Sequence, residues 1–398
     1  MRPLDGLVIL DLSRVLACPF ATMILAELGA EVIKVEQPGA GDETRGFEPF
    51  ASGPGGKVSG YFMALNRSKR SITVNLRHTE GREIIKKLAA RSDAVLENFP
   101  TGTLKRYGLD WPALRDVNPR LVYLSCTGFG QDGPYAQRKG YDTVFQAMSG
   151  LMALTGEQGG GPVKPGLPIA DLTSGLWAAI ALLAALRGRD AQGVGAHVDL
   201  SMLDAQVALL TIAAARFFAL GEVPPRMGTE HPGRVPTASF RCGDGRFLHI
   251  TASDQHWVPL CQALGMDALG ADPALAKNAG RVAQRDRVMA AMNAALGAMT
   301  RAQAVAALDA VDVPTGPVLA LDEVFDDPQV KSRGVVGAFA HPALGDFPAL
   351  RVPLRFDGFE NPSLDRPPLL GEHTDEILGG ILGYDTARIA ALREAGAI

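Results

Sequence analysis

Three short runs within the first 36 residues constrain the architecture more than anything else in the chain. LVILDL (7–12) is apolar with β-branched residues, FATMILAELG (20–29) has helical spacing and ends on a glycine, and EVIKVE (31–36) is a second short strand. Strand, helix and strand in about 30 residues fit one parallel βαβ unit. The pattern returns in SITVNL (71–76), EGREIIKKLAAR (80–91), AVLENF (94–99), a helix near LKRYGL, and LVYLSCTGFG (121–130). Such alternation predicts a doubly wound α/β sheet. With 398 residues the chain exceeds one typical domain. Near Gly221 the composition changes to the Pro- and Gly-rich EVPPRMGTEHPGRVPT, read here as a boundary. Beyond it lie a strand (RFLHITA), a helix (HWVPLCQALG) and an Ala-rich helical stretch (279–310), expected to form a smaller second domain. The tail from Pro367 reads as two short helices that would dock on the first domain.

Two segments, Gln37–Gly60 with its seven glycines and Gly156–Gly166, read as functional loops rather than helix or strand. The longest apolar stretch, Leu176–Leu186, is shorter than the 18 or so residues of a membrane span and predicts a buried core helix. A formal net charge of -4 argues against non-specific nucleic-acid binding. The N-terminus shows no apolar core behind a basic end, so no signal peptide is expected. Cys18, Cys126, Cys242 and Cys261 form no CxxC pair, which disfavours a disulfide framework or zinc site and points to a reducing, cytoplasmic setting.

Glu36, at the end of the second strand, stands where an acid would hold a ribose hydroxyl. The turn after strand one, DLSRVLACPF, nevertheless lacks G-x-G-x-x-G, so NAD binding is not expected. H-E-x-x-H, a Walker loop and G-x-S-x-G are missing too. What remains is Asp171, at the entrance of the apolar helix within PIADLTSGLWAAIALLAAL, with two open readings: helix N-cap or reactive carboxylate.

Taken together, PLDGLVILDLSRVLACPFATMILAELGAEVIKVEQPGAGD, LNRSKRSITVNL, ENFPTGTLKRYGLD, GYDTVFQAMSG, PIADLTSG and PPLLGEHTDEIL resemble the class III CoA-transferases, in order and over residues 3 to 378. The resemblance implies a Rossmann-like large domain from both chain ends (1–220 and 326–398), a small inserted α+β domain (221–325), and an interlocked homodimer. It implies no permanent cofactor, with acyl-CoA and a carboxylic acid as substrates, and a nucleophilic role for Asp171. Contacts to CoA are expected from Val15, Leu16, Asn66, Lys69, Arg70, Asn98, Phe99, Arg106 and Lys139, the cations meeting phosphates. Some relatives carry a basic residue where Gln37 stands, so a phosphate contact there is missing or supplied elsewhere.

Within the family the sequence is most similar to succinyl-CoA-dependent enzymes acting on dicarboxylates of glutarate type. A second substrate carboxylate would want an arginine, and Arg45, Arg226 and Arg234 sit in candidate loops. The loops around Gly159–Gly161 and Gly228–Gly233 are candidate covers, and His231 is a candidate ligand or a structural histidine. Racemases of the same family place a His–Asp pair at the GYD position. Here that position holds Tyr141 and Asp142, and a tyrosine is a poor base at neutral pH. A 2-methylacyl-CoA racemase and a non-catalytic CoA-binding protein remain the alternatives.

Overall fold

The computed structural model describes residues 1–398, and the chain divides into two compact units. The first comprises Met1–Leu151, Lys164–Ala215 and Gln329–Ile398. Its centre is a six-stranded sheet of β1 (Val8–Asp11), β2 (Glu31–Glu36), β3 (Arg70–Thr73), β4 (Ala94–Glu97), β5 (Val122–Thr127) and β6 (Ala196–Ser201). The spatial order is β3-β2-β1-β4-β5-β6, with every pairing parallel. This is the strand order of a Rossmann-type sheet, and the direction in which successive strands are added reverses between β1 and β4. Residues of β1 alternate between the two cores. Leu10 and Leu12 join Ile33, Val95 and Ile84 on one face, while Ile9 joins Val32, Leu96 and Leu124 on the other. The C-terminal helices Thr374–Leu382 and Thr386–Glu394 add Ile377, Leu378, Ile389 and Leu392 to the first of these cores.

The second face is covered by α1 (Ala17–Glu27) and α3 (Ile169–Gln192); α2 (Asp142–Met148) lies before α3 in the chain. Where α1 and α3 touch, a Cβ on Gly175 would come within 2.5 Å of the Ala17 carbonyl. Only glycine permits that approach. The expectation of a buried core helix needs correction here. Over its 24 residues α3 buries Ala178, Ala179, Leu182 and Leu186 but exposes Leu176, Trp177, Ile180 and Leu183. By length and composition α3 and the helical run Met202–Leu220 are both sufficient to cross a membrane; α3 instead lays its small-residue face on α1 and the sheet.

Gln37–Gly60 is also not all loop. It holds a short 3-10 turn, Glu43–Gly46, and a hairpin of Phe50–Gly53 with Gly56–Ser59. The turn glycines hid a strand pair whose hydrogen bonds are local.

The second unit comprises Met152–Val163 and Arg216–Pro328. Thr237–Arg241, Phe247–Thr251 and Thr315–Pro317 form an antiparallel sheet packed with helices around Trp257, Phe240, Leu248 and Met292. Arg281 is fully buried there; its guanidinium lies over the Trp257 ring and bonds the Val235 and Leu275 carbonyls and Asp254. The segment Met152–Val163, expected with the first domain, belongs to this unit. Arg226 bonds the carbonyls of Ala153 and Gly160, and Gly228 N–H that of Gly156.

Candidate active site

Asp171 sits in the first turn of α3, after Pro168. It does not cap the helix. Asp142, at the start of α2, does so: its Oδ1 accepts the backbone N–H groups of Ala170 (2.8 Å) and Asp171 (3.2 Å), and Gln146 donates to its other oxygen. The Asp171 carboxylate is thereby left without a hydrogen bond inside the chain. Burial, and then the Asp142 charge, push its pKa up to about 7. The positive end of the α3 dipole works in the opposite direction. Tyr61 also feels this pair. Burial first and then the Asp171 and Asp142 charges raise its pKa to about 12, so its hydroxyl stays a donor.

Between β1 and α1 the chain runs through Ser13–Leu16 in a strained form, with Val15 at φ +67°, unusual for a β-branched residue. The segment is gripped from below. Asp11 accepts the backbone N–H and hydroxyl of Ser13, the Thr22 hydroxyl and the Lys69 ammonium (3.0 Å). Lys34 donates to the Ser13 carbonyl and to Asp42 at 2.8 Å. Above it, the Asn98 amide bonds both the N–H (2.8 Å) and the carbonyl (2.7 Å) of Arg14. The Arg14 guanidinium lies over the Phe99 ring at 4.9 Å. The neighbouring crevice, about 480 Å³, opens among Leu12, Arg14, Gln37, Arg77, Phe99 and Tyr107. It lies beyond the carboxyl ends of β1, β2, β3 and β4, where open α/β sheets bind their ligands.

A sequence model of CoA-transferase family III matches residues 4–374. The chain belongs to that family. It is 39% identical to the succinyl-CoA:glutarate CoA-transferase of Mus musculus, covering 100% of this chain and 91% of the mouse protein. Against the succinate–glutarate CoA-transferase of Agrobacterium fabrum the identity is 37%, over 94% of this chain and 95% of the other. A CaiB/BaiF family protein from Brucella suis has a crystal structure that matches with a TM-score of 0.86 at 40% identity, over 96% of this chain and 99% of that one. This protein is a family III CoA-transferase, and enzymes of that kind take CoA thioesters as substrates.

In this transferase several expected site residues have other partners. The Lys69 ammonium is fully buried and bonds Asp11, the Pro19 carbonyl and Asn66. Asn66 completes that contact and donates to the Phe62 carbonyl. Arg70 forms ion pairs with Glu31 and Glu376. Each of these three polar ends therefore already has a protein partner. Arg45 grips Glu36 in a two-point pair and stacks on Phe62. Arg226 ties Ala153 to Gly160 within the second unit.

Arg106, Lys139 and Arg234 are exposed, and none makes an ion pair. His231 is exposed, accepts the Gly233 N–H, and forms a β-bridge with Arg234, a turn-forming role. Tyr141 is 83% exposed. Sequence reading singled out neither Tyr61 nor Arg77. It placed Asp142 only beside the racemase comparison, although a carboxylate at the start of α2 is a capping signal. Arg77 had a visible cue, since it follows the strand motif in the loop after β3.

Proposed function

We propose that this enzyme carries CoA from succinyl-CoA to a short dicarboxylate of glutarate type, with Asp171 as the covalent carrier. The observation that carries the reading is the Asp171 carboxylate: half-buried, unbonded, and freed from capping by Asp142. Its oxygen attacks the thioester carbonyl, the C–S bond breaks, and a mixed anhydride and CoA thiolate result. The thiolate attacks the aspartyl carbonyl and expels the donor acid, leaving an aspartyl-CoA thioester. The incoming carboxylate attacks that thioester and releases thiolate, which then takes the new acyl group and frees Asp171. The Tyr61 hydroxyl is a donor for the oxyanions of these steps. The names of the mouse and A. fabrum relatives support the donor and acceptor classes.

The crevice beside Phe99 is the proposed seat of the CoA nucleotide. Phe99 and Arg14 line it, Asn98 holds Arg14 in place next to Val15 and Leu16 in the chain, and Arg14 and Arg77 supply the positive charge that Gln37 lacks. Arg106 and Lys139 remain candidate phosphate contacts. An interlocked homodimer is proposed as well; Ile212 and Phe218, at 80% and 82% exposed, support it as part of a wide uncovered apolar surface. Light scattering at about twice the chain mass is the expected result.

The deciding experiment measures CoA transfer from succinyl-CoA to a panel of mono- and dicarboxylic acids, with Asp171→Ala alongside. New acyl-CoA esters from the wild type alone uphold the reading. Transfer by the variant at the wild-type rate would remove Asp171, and no transfer with any acid would remove the substrate assignment.

A further inference from the structure

The last residue of β4, Glu97, is a buried acid that the chemistry above does not use. It sits directly behind the Phe99 wall of the crevice. Its Oε2 accepts the Phe99 N–H at 2.8 Å, which sets the start of the Phe99–Pro100 wall. Its backbone carbonyl faces the Cys18 thiol at 3.8 Å, in the first turn of α1. The next residue, Asn98, clamps Arg14 and so the strained segment that ends in Val15. On the sheet, Glu97 lies opposite Ser125, whose hydroxyl lowers the cost of ionising the Glu97 carboxyl and meets His197 Nε2 at 3.1 Å. The His197 ring stacks on Trp111 and edges Tyr123, while itself reaching the surface.

We propose that Glu97 is the positioning residue of the CoA crevice, fixing its Phe99 wall and communicating through Ser125 with His197 at the surface. This rests on the reading that the crevice binds CoA.

The chain has two directions. With Glu97 ionised, His197 donates to Ser125, Ser125 donates to the carboxylate, and Phe99 N–H makes a charge-assisted bond. With Glu97 protonated, its own O–H points to Ser125 and Ser125 donates to His197 Nε2. That needs a neutral imidazole, and burial holds the His197 pKa below its ordinary value. The Phe99 bond is then neutral and weaker. Burial above all, with the Asp199 charge, pushes Glu97 up to about 7, against the bonds from Ser125 and Phe99, so both states are populated near neutrality. The charged and titratable groups facing this acid are His197 and Asp199 from β6, Tyr123 from β5, and Cys18 from α1. Protonation therefore loosens the Phe99 wall, and CoA affinity falls as pH drops from 8 to 6.

Calorimetric titration of CoA into the Asp171→Asn protein tests this, because that background removes the other acid titrating near 7. The affinity is expected to fall about fivefold to tenfold more between pH 8 and 6 than in the Asp171→Asn, Glu97→Gln protein. The glutamine keeps an acceptor for Phe99 N–H but cannot titrate. It also serves as reference for CoA's own phosphate, which titrates near about pH 6. Ser125→Ala removes a donor to the carboxylate and is expected to move the midpoint upward. Identical pH dependence with and without Glu97, or an unmoved midpoint in Ser125→Ala, overturns the proposal while leaving the CoA site standing. Absence of CoA binding at every pH overturns both.

Discussion

Asp11 and Asp171 are the same residue type in the same unit, and the structure treats them in opposite ways. Asp11 is fully buried and fully matched: Lys69, Ser13 and Thr22 all contact it. Although its burial is the largest influence, Lys69, Lys34 and the two hydroxyls outweigh it and hold the pKa at about 2. Asp171 has no partner, and burial with the Asp142 charge carries it up to about 7. One carboxylate is a fixed anion in the framework of the Ser13–Leu16 loop. The other keeps its lone pairs free for chemistry. What separates the structural acid from the proposed nucleophile is the supply of partners, not depth alone.

The sharpest break of that contrast is removal of each acid in turn. Asp171→Ala is expected to lose CoA transfer by about 10³-fold or more while folding normally, checked by chromatography of acyl-CoA products. Asp11→Ala should do the reverse. Leaving Lys69 buried without its anion is expected to cost about 3–5 kcal/mol of stability, read from urea unfolding. Equal losses of stability in both variants would erase the distinction.

Acidity offers a second test. Native Asp171 keeps its proton up to about 7, while the unfolded chain releases it near 3.8. The native state therefore binds more protons in that window, and this site's contribution to stability declines as pH rises through it. Asp11 has the opposite sign: its contribution is full above 3.8 and is lost as pH falls toward 2. The slope of stability between pH 4 and 7 should shift upward in Asp171→Asn and be unchanged there by any effect from Asp11. Activity should rise with an acid limb at or a little below 7.

Asp142→Asn keeps a capping oxygen but removes the negative charge beside Asp171. The acid limb is expected to move to lower pH, with a loss of stability of about 1 kcal/mol or less. An unmoved limb would mean that burial alone sets the Asp171 acidity. The smallest effect is expected from Tyr61→Phe, a drop in kcat of about tenfold or less with the pH profile retained.

Much of the sheet was readable in the chain because its signals are local. Strand runs of four to six residues and helices of regular spacing predicted β1 to β5 in the right order. The C-terminal helices were also visible from their spacing. What the chain alone did not reveal is equally specific. NRSKRS looks like an exposed basic loop, yet Lys69 meets an aspartate 58 residues earlier in the chain. Arg45 seemed free until Glu36 was found beside it. The hairpin at Phe50–Ser59 was masked by turn glycines that also belong to loops. Met152–Val163 joined the other unit through Arg226, which lies more than sixty residues downstream.

By itself the sequence determined the parallel α/β sheet, the position of Asp171 at a helix start, and membership of the CoA-transferase family, because periodicity and ordered motifs are properties of neighbouring residues. Only the tertiary structure decided which charges are paired and which are free. That choice depends on distances between residues far apart in the chain, and on burial, which raises or lowers the cost of each charge according to who stands beside it.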